Sequence, residues 1–167
     1  MTEINKNIED IMREYLSGDM LANALDFAAY LKTNDMTFKD GAVHYKDKAV
    51  CYMHFGTAEL GTDEDYPNPW TIWTDGDYSE ERADVPIDER MKEFIWDNCI
   101  NTCGSCGGDC SPGKRAVIFG KEFDNVCHAV INLYKLDGET YNYLKPLIEM
   151  RCRTIDEMLE WQTPNNI

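Results

Sequence analysis

The chain has 167 residues, of which 43% are hydrophobic and 28% are charged, a composition that excludes collagen, coiled-coil rods and disordered tail proteins. The net charge is −15, which argues against binding to nucleic acid or to an anionic membrane, since both need positive charge on the protein. The sequence shows no apolar run near the roughly 20 residues that span a bilayer and no signal-peptide pattern. We therefore expect a cytoplasmic protein folded as one domain over residues 1–167.

The negative charge is concentrated in one stretch of the chain. From Glu59 to Asp97 there are 13 acidic and 3 basic residues, so this stretch carries −10 of the total charge. Charge runs of this kind are typical of a solvated face. The alternative is a surface that repels anions and concentrates cations.

Two helices are predicted at the N-terminus. Apolar residues recur at helical spacing over residues 3–16, and again from Leu21 to Leu31. Gly18 suits the left-handed conformation that follows a helix, and Asp19 is a candidate cap for the second helix, which should end at residues 33–35.

Antiparallel strands are predicted next. Residues 36–39 and 42–46 read as two strands joined by Asp40-Gly41, because this pair accommodates the positive φ angles of a tight hairpin turn. A third strand over 49–55 follows a turn near Asp47-Lys48, and a fourth over 70–74 follows an acidic loop.

The remaining chain combines helices with shorter strands. A helix is predicted over 87–98, and strands over 116–119 and 126–134, the second of which also fits a helix. A further helix over 139–151 should kink or restart at Pro146, and Thr154 begins a capping box for a last short helix. The sequence thus predicts an α+β fold with an N-terminal helix pair, an antiparallel sheet, flanking helices and a Cys-rich loop.

The cysteines carry the strongest chemical signal. There are seven, an odd number that argues against a disulfide framework. Cys51 and Cys152 lie in apolar patterns and are predicted to be buried packing residues. The loop over residues 99–113 is small and polar, so it cannot build its own core. The other five cysteines lie in or just after it: Cys99, Cys103, Cys106, Cys110 and Cys127.

A zinc ion would hold this loop. Cys103-Gly104-Ser105-Cys106-Gly107 has the form of a zinc knuckle, in which two thiolates three residues apart reach one ion. Cys110 is the third candidate ligand. The fourth is either Cys99, at the end of the preceding helix, or Cys127, which would attach the loop to a strand.

Two alternatives to zinc use the same cysteines. The spacing Cys99-x3-Cys103-x2-Cys106 matches the cluster motif of radical SAM enzymes, but the barrel of βα units is absent, so an iron–sulfur cluster ranks below zinc. Without metal, the cysteines would be free thiols or adventitious disulfides in a flexible loop.

Histidines next to cysteines suggest nucleophilic catalysis only weakly. Cys127 and His128 would point to opposite faces of a strand and could not pair. His44 and His54 could supply a base beside Cys51, but a histidine in a strand is more often a packed core residue.

Aromatic residues gather near the third and fourth predicted strands. Strand alternation places Trp70 and Trp73 on opposite faces, so one of them could line a cavity with Tyr52. Such a cavity with an acidic rim suits cationic or apolar small molecules, although core packing explains these residues more simply.

Residues 98–130, NCINTCGSCGGDCSPGKRAVIFGKEFDNVCHAV, resemble a group of small uncharacterised proteins of clostridia and related Firmicutes. The group pairs a Cys-Gly-rich loop and Pro-Gly with an IFGKEFDNVC stretch, and shares the WTIWTDGD segment and the terminal LIEMR helix. The resemblance implies the ligand set Cys103, Cys106, Cys110 and Cys127. It implies no activity.

The sequence as a whole suggests a binding module for a small molecule or a protein, with structural zinc in its Cys-rich loop. The alternative is a thiol- or metal-dependent enzyme, or a redox switch, that uses the same cysteines. An enzyme would keep three protein ligands and an exchangeable water, or a thiolate of lowered pKa. No catalytic residue is assigned, but four residues near the loop could assist: Asp109, Lys114, Glu122 and Asp124.

Overall fold

The structure is a computed structural model that describes residues 7–55, 70–74, 78, 86–99, 113–127, 131–133 and 137–162. Over these ranges the chain is α+β, as predicted. The helices are α1 (Ile8–Tyr15), α2 (Gly18–Thr33), α3 (Glu89–Asp97) and α4 (Gly138–Gln162). The strands are β1 (Thr37–Lys39), β2 (Ala42–Tyr45), β3 (Lys48–Phe55), β4 (Trp70–Thr74), β5 (Lys114–Ile118), β6 (Lys121–Val126) and β7 (Ile131–Leu133).

The strands form two sheets, one with the order β1-β2-β3-β4-β7 and one made of β5 and β6. The chain divides into two compact units, of which unit 1 comprises residues 1–72 and 133–142, and unit 2 comprises residues 73–132 and 143–167. The expected single domain stays a prediction. In the described ranges, no helix has both the length and the apolar character needed to cross a membrane.

Unit 1 begins with the predicted helix pair. Asn7 caps α1 by accepting a hydrogen bond from the backbone N–H of Asp10 at 2.9 Å. Gly18 has a φ of +56°, as predicted. The expected cap at Asp19 is wrong, because Ser17 is the N-cap residue of α2 and Asp19 lies in its first turn.

Two tight turns set the register of β1, β2 and β3. Asp40 and Gly41 have φ values of 52° and 76°, which confirms the Asp-Gly turn and pairs Phe38 with Val43. The turn into β3 uses Lys46 and Asp47, one residue earlier than predicted. The core of unit 1 includes Met12, Phe27, Leu31, Val43, Val50, Cys51, Met53 and Tyr141.

Unit 2 contains α3 and the β5–β6 hairpin. Asp88 caps α3 by accepting from the N–H of Met91 at 2.8 Å. The hairpin turns through Phe119 and Gly120, with φ values of 45° and 81°. The Phe119 ring is buried 6.2 Å from the ring of Tyr78. Trp96 ties the helix to the hairpin by donating a 2.7 Å hydrogen bond to the carbonyl of Ile118.

Two predictions for the C-terminal part are wrong. The expected strand over 126–134 is divided, since β6 ends at Val126 and β7 begins at Ile131, and β6 itself was missed. The second wrong prediction is the separate last helix, because among the described residues α4 passes through both Pro146 and Thr154 and runs on to Gln162. Thr154 lies inside α4 and donates to the carbonyl of Met150 at 3.1 Å instead of capping.

Candidate functional site

The predicted zinc ligands divide between described and undescribed residues. Cys103, Cys106 and Cys110 lie outside the described residues, as does Asp109. Cys99 and Cys127 are described, and both lie in unit 2. The structure therefore positions the two candidates for the fourth ligand but leaves the other three untested.

The β5–β6 hairpin positions Cys127. Antiparallel pairing places Lys114 opposite Val126, so Cys127 follows one residue beyond the pair, at the end of the hairpin where Gly113 closes the Cys-rich loop. The Cys127 side chain is 9% exposed. Because Cys127 lies just after β6, the strand argument against its pairing with His128 does not apply, and His128 lies outside the described residues.

Cys99 lies at the other end of the loop. It follows α3 and forms an isolated antiparallel bridge with Ile131. Its thiol is half-buried, and burial raises its pKa to about 11, although the positive charge of Lys121 partly opposes the rise. A free thiol of this kind is protonated at neutral pH and is a poor nucleophile.

Cys99 also lines an open depression of about 640 Å³. Lys121 lies in this depression with its Nζ atom 5.1 Å from the centre of the Trp96 ring and 5.3 Å from that of Phe123. Two aromatic faces thus hold the ammonium group by cation–π attraction. The other described lining residues are Asp97, Glu122, Asp124 and Asn125.

Of the four residues proposed to assist an enzyme, the three that the structure describes are exposed: Lys114, Glu122 and Asp124. Glu122 and Asp124 are exposed on β6, and both interact with Arg115 on β5, at 2.5 and 3.6 Å. Lys114 is exposed at the start of β5. Exposed ion pairs of this kind contribute little to stability and leave the carboxylates solvated.

The candidate aromatic pocket is only partly described. Tyr52 is 42% exposed on β3, so the expectation that it packs on a buried sheet face is wrong. Trp70 and Trp73 lie on β4, but their side chains are outside what the structure describes.

The structure describes the side chains of three of the four remaining cysteines and histidines that the sequence singles out. Cys51 is buried as predicted. Cys152 is half-buried on α4, so the prediction of full burial is wrong. His44 is half-buried on β2, and the side chain of His54 is outside the described part.

Sequence reasoning missed the contacts of three charged residues, which are Lys121, Lys32 and Glu9. Lys121 between Trp96 and Phe123 was missed because β6 was not recognised. The ion pair between Lys32 of α2 and Glu9 of α1 was also missed, although both helices were predicted. Position along the chain alone did not reveal it, since the two residues are 23 positions apart.

Among the described residues, no group of three or more His, Cys, Asp or Glu side chains is placed to hold a metal ion. Comparisons of the chain with family models, curated proteins and solved structures find no match. The resemblance of residues 98–130 to clostridial proteins therefore stays a prediction from the sequence.

Proposed function

We propose that the chain is a cytoplasmic binding module for a small molecule or a protein, and that a structural zinc ion holds its Cys-rich loop. The ligands in this proposal are Cys103, Cys106, Cys110 and Cys127. Four thiolates make a closed tetrahedral site, which is the usual form of structural zinc.

The observation that carries this proposal is the register of the β5–β6 hairpin. It places the buried Cys127 beside the residue at which the loop over 99–113 rejoins the fold. A metal bond to Cys127 would connect the loop to the hairpin, whereas a bond to Cys99 would close the loop on its own first residue. The first arrangement attaches the loop to a residue outside it, which a bond to Cys99 does not.

The alternative is an enzyme or redox switch that uses the same cysteines. Such a protein needs an accessible thiolate of lowered pKa. The raised pKa of Cys99 argues against this residue as the nucleophile. The alternative therefore depends on the other four cysteines, which are Cys103, Cys106, Cys110 and the buried Cys127.

Cobalt(II) titration of the apoprotein tests the ligand set, because cobalt takes the tetrahedral thiolate sites of zinc and gives a visible spectrum there. We expect tight binding and a tetrahedral thiolate spectrum for the wild type and for Cys99→Ser. The matched control Cys152→Ser, in a half-buried cysteine of α4, should behave in the same way.

Cys127→Ser and Cys103→Ser should lose the tetrahedral spectrum. If Cys99→Ser loses the tetrahedral spectrum and Cys127→Ser retains it, the fourth ligand is Cys99. A wild type that gives no thiolate spectrum would contradict the zinc proposal as a whole.

A further inference from the structure

Unit 1 contains a pocket between its two helices and the first strand. The pocket lies at the start of α1, the last turns of α2 and the edge strand β1, and we call it the α1–α2–β1 pocket. Its buried walls are apolar: Ile8, Ala28, Leu31, Met36 and Val43. Phe38 of β1 is half-buried and adds an aromatic face.

The volume of this pocket lies at the lower limit for a ligand site. It measures about 290 Å³. An engineered apolar cavity of roughly 150 Å³ already binds benzene, and natural ligand pockets begin near 300 Å³. Ala28 is fully buried in the wall of the pocket. Its side chain is a single methyl group, and a larger apolar side chain at this position would fill the space.

The mouth of the pocket is polar without a net positive charge. Its exposed lining residues are Asn7, Lys32 and Thr37. The Lys32 ammonium forms an ion pair with Glu9, and this hydrogen bond is the main reason why the pKa of Glu9 lies below its ordinary value. Because the Glu9 carboxylate already neutralises this ammonium, the described residues that line the mouth offer no unpaired cation to attract an acid.

We propose that the α1–α2–β1 pocket binds a small neutral ring compound. The ring would contact the apolar walls, and one hydrogen-bonding group would lie at the mouth near Thr37. This inference rests on the binding-module part of the proposed function and is independent of the zinc site, which uses residues of unit 2.

Indole is the probe for this pocket, because it is neutral, fits the volume and carries one N–H donor. Titration into protein with labelled methyl groups should shift the resonances of Ile8, Leu31, Met36 and Val43. Indole-3-acetate should bind at least about tenfold more weakly, since its carboxylate must leave water without gaining a free cation.

Two substitutions on adjacent residues of α2 make a matched pair. Ala28→Leu fills the pocket and should weaken indole binding by about tenfold or more. Ala29→Leu makes the same change at an exposed position and should leave binding unchanged. If Ala28→Leu does not fold, Thr37→Trp at the exposed mouth replaces it, with the same expected loss.

Several results would overturn the proposal. The first is the absence of methyl shifts up to the solubility limit of indole, and the second is unchanged indole binding in Ala28→Leu. The third is tighter binding of indole-3-acetate than of indole. The fourth is contact between residues 1–6 and the pocket methyl groups in the free protein. Zinc content measured on the same samples separates the two proposals, since loss of zinc with retained indole binding would contradict only the metal site.

Discussion

At the residue scale, Asp137 directly precedes α4, the longest helix of the described chain. Its Oδ1 atom accepts from both the backbone N–H and the hydroxyl of Thr140, each at 2.9 Å. These hydrogen bonds lower the pKa of Asp137 below its ordinary value of 3.8, and the bond from the backbone N–H has the larger effect. The carboxylate therefore caps α4 in its charged form.

Replacement of this cap should lower stability. We expect Asp137→Ala to reduce the free energy of unfolding by about 1 kcal/mol at neutral pH, measured by urea denaturation. Because folding depresses the pKa, the stabilisation is present above the unfolded value and is lost as the pH falls through the folded value. The difference between wild type and variant should thus shrink as the pH falls below the ordinary pKa of 3.8, and a constant difference would contradict the role of the charge.

Cys99 should react slowly with alkylating reagents at neutral pH. Its pKa of about 11 leaves little thiolate there, so the rate should rise steadily with pH toward that value. Lys121→Met removes the charge that lowers this pKa and should slow the reaction further, whereas Lys114→Met serves as the control. Peptide mapping by mass spectrometry measures the rate at this residue alone.

Fast alkylation of Cys99 at neutral pH would contradict this account of its environment. A rate that rises sharply only after chelation would instead identify Cys99 as a metal ligand. The second result would move the proposed fourth ligand from Cys127 to Cys99.

At the element scale, α4 shows how packing overrides a local signal. Pro146 has no N–H to donate to the carbonyl four residues earlier, and its ring crowds that carbonyl, so the sequence predicts a kink or a restart of the helix here. The helix continues because four residues at helical spacing form a fully buried face: Leu144, Leu147, Ile148 and Ile155. Burial of such a side chain contributes roughly 1.5–3 kcal/mol, so the four together outweigh the ~3 kcal/mol that one proline in a helix interior costs.

Pro146→Ala should therefore stabilise the protein. We expect a gain of about 1–3 kcal/mol in the free energy of unfolding, because the helix interior regains a hydrogen bond and loses a steric conflict. Urea denaturation measures the gain, with Lys145→Ala as the neighbouring control. A loss of stability would mean that packing of the half-buried proline ring outweighs its effect on the backbone.

The β5–β6 hairpin shows the opposite case, an element that local signals did not reveal. Its turn uses Phe119 at a positive φ, although a bulky residue is strained in this conformation. The strain is tolerated because the Phe119 ring is buried beside Tyr78. In addition, the backbone N–H of Phe119 donates to the backbone carbonyl of Tyr78 at 3.1 Å. This contact joins residues 41 positions apart. The turn that it stabilises contains Phe119-Gly120, so a search for Asn-Gly or Asp-Gly pairs could not find this hairpin.

At the scale of the whole molecule, the sequence predicted the elements better than the site. Helical periodicity and the Asp40-Gly41 turn are local signals, and the structure confirms α1, α2 and the β1–β2 hairpin. Tertiary contacts decide the rest, including the ion pair between Glu9 and Lys32 and the position of Cys127 after β6. The α1–α2–β1 pocket is a gap between packed elements, and the hydrophobic periodicity of the sequence does not predict such gaps.

The central claim concerns the metal. Elemental analysis of natively purified protein tests it most directly, because a closed site of four thiolates keeps its ion through purification. The account predicts about one zinc ion per chain. A protein that contains neither zinc nor another metal, and whose loop cysteines all react freely with a thiol reagent, would contradict it.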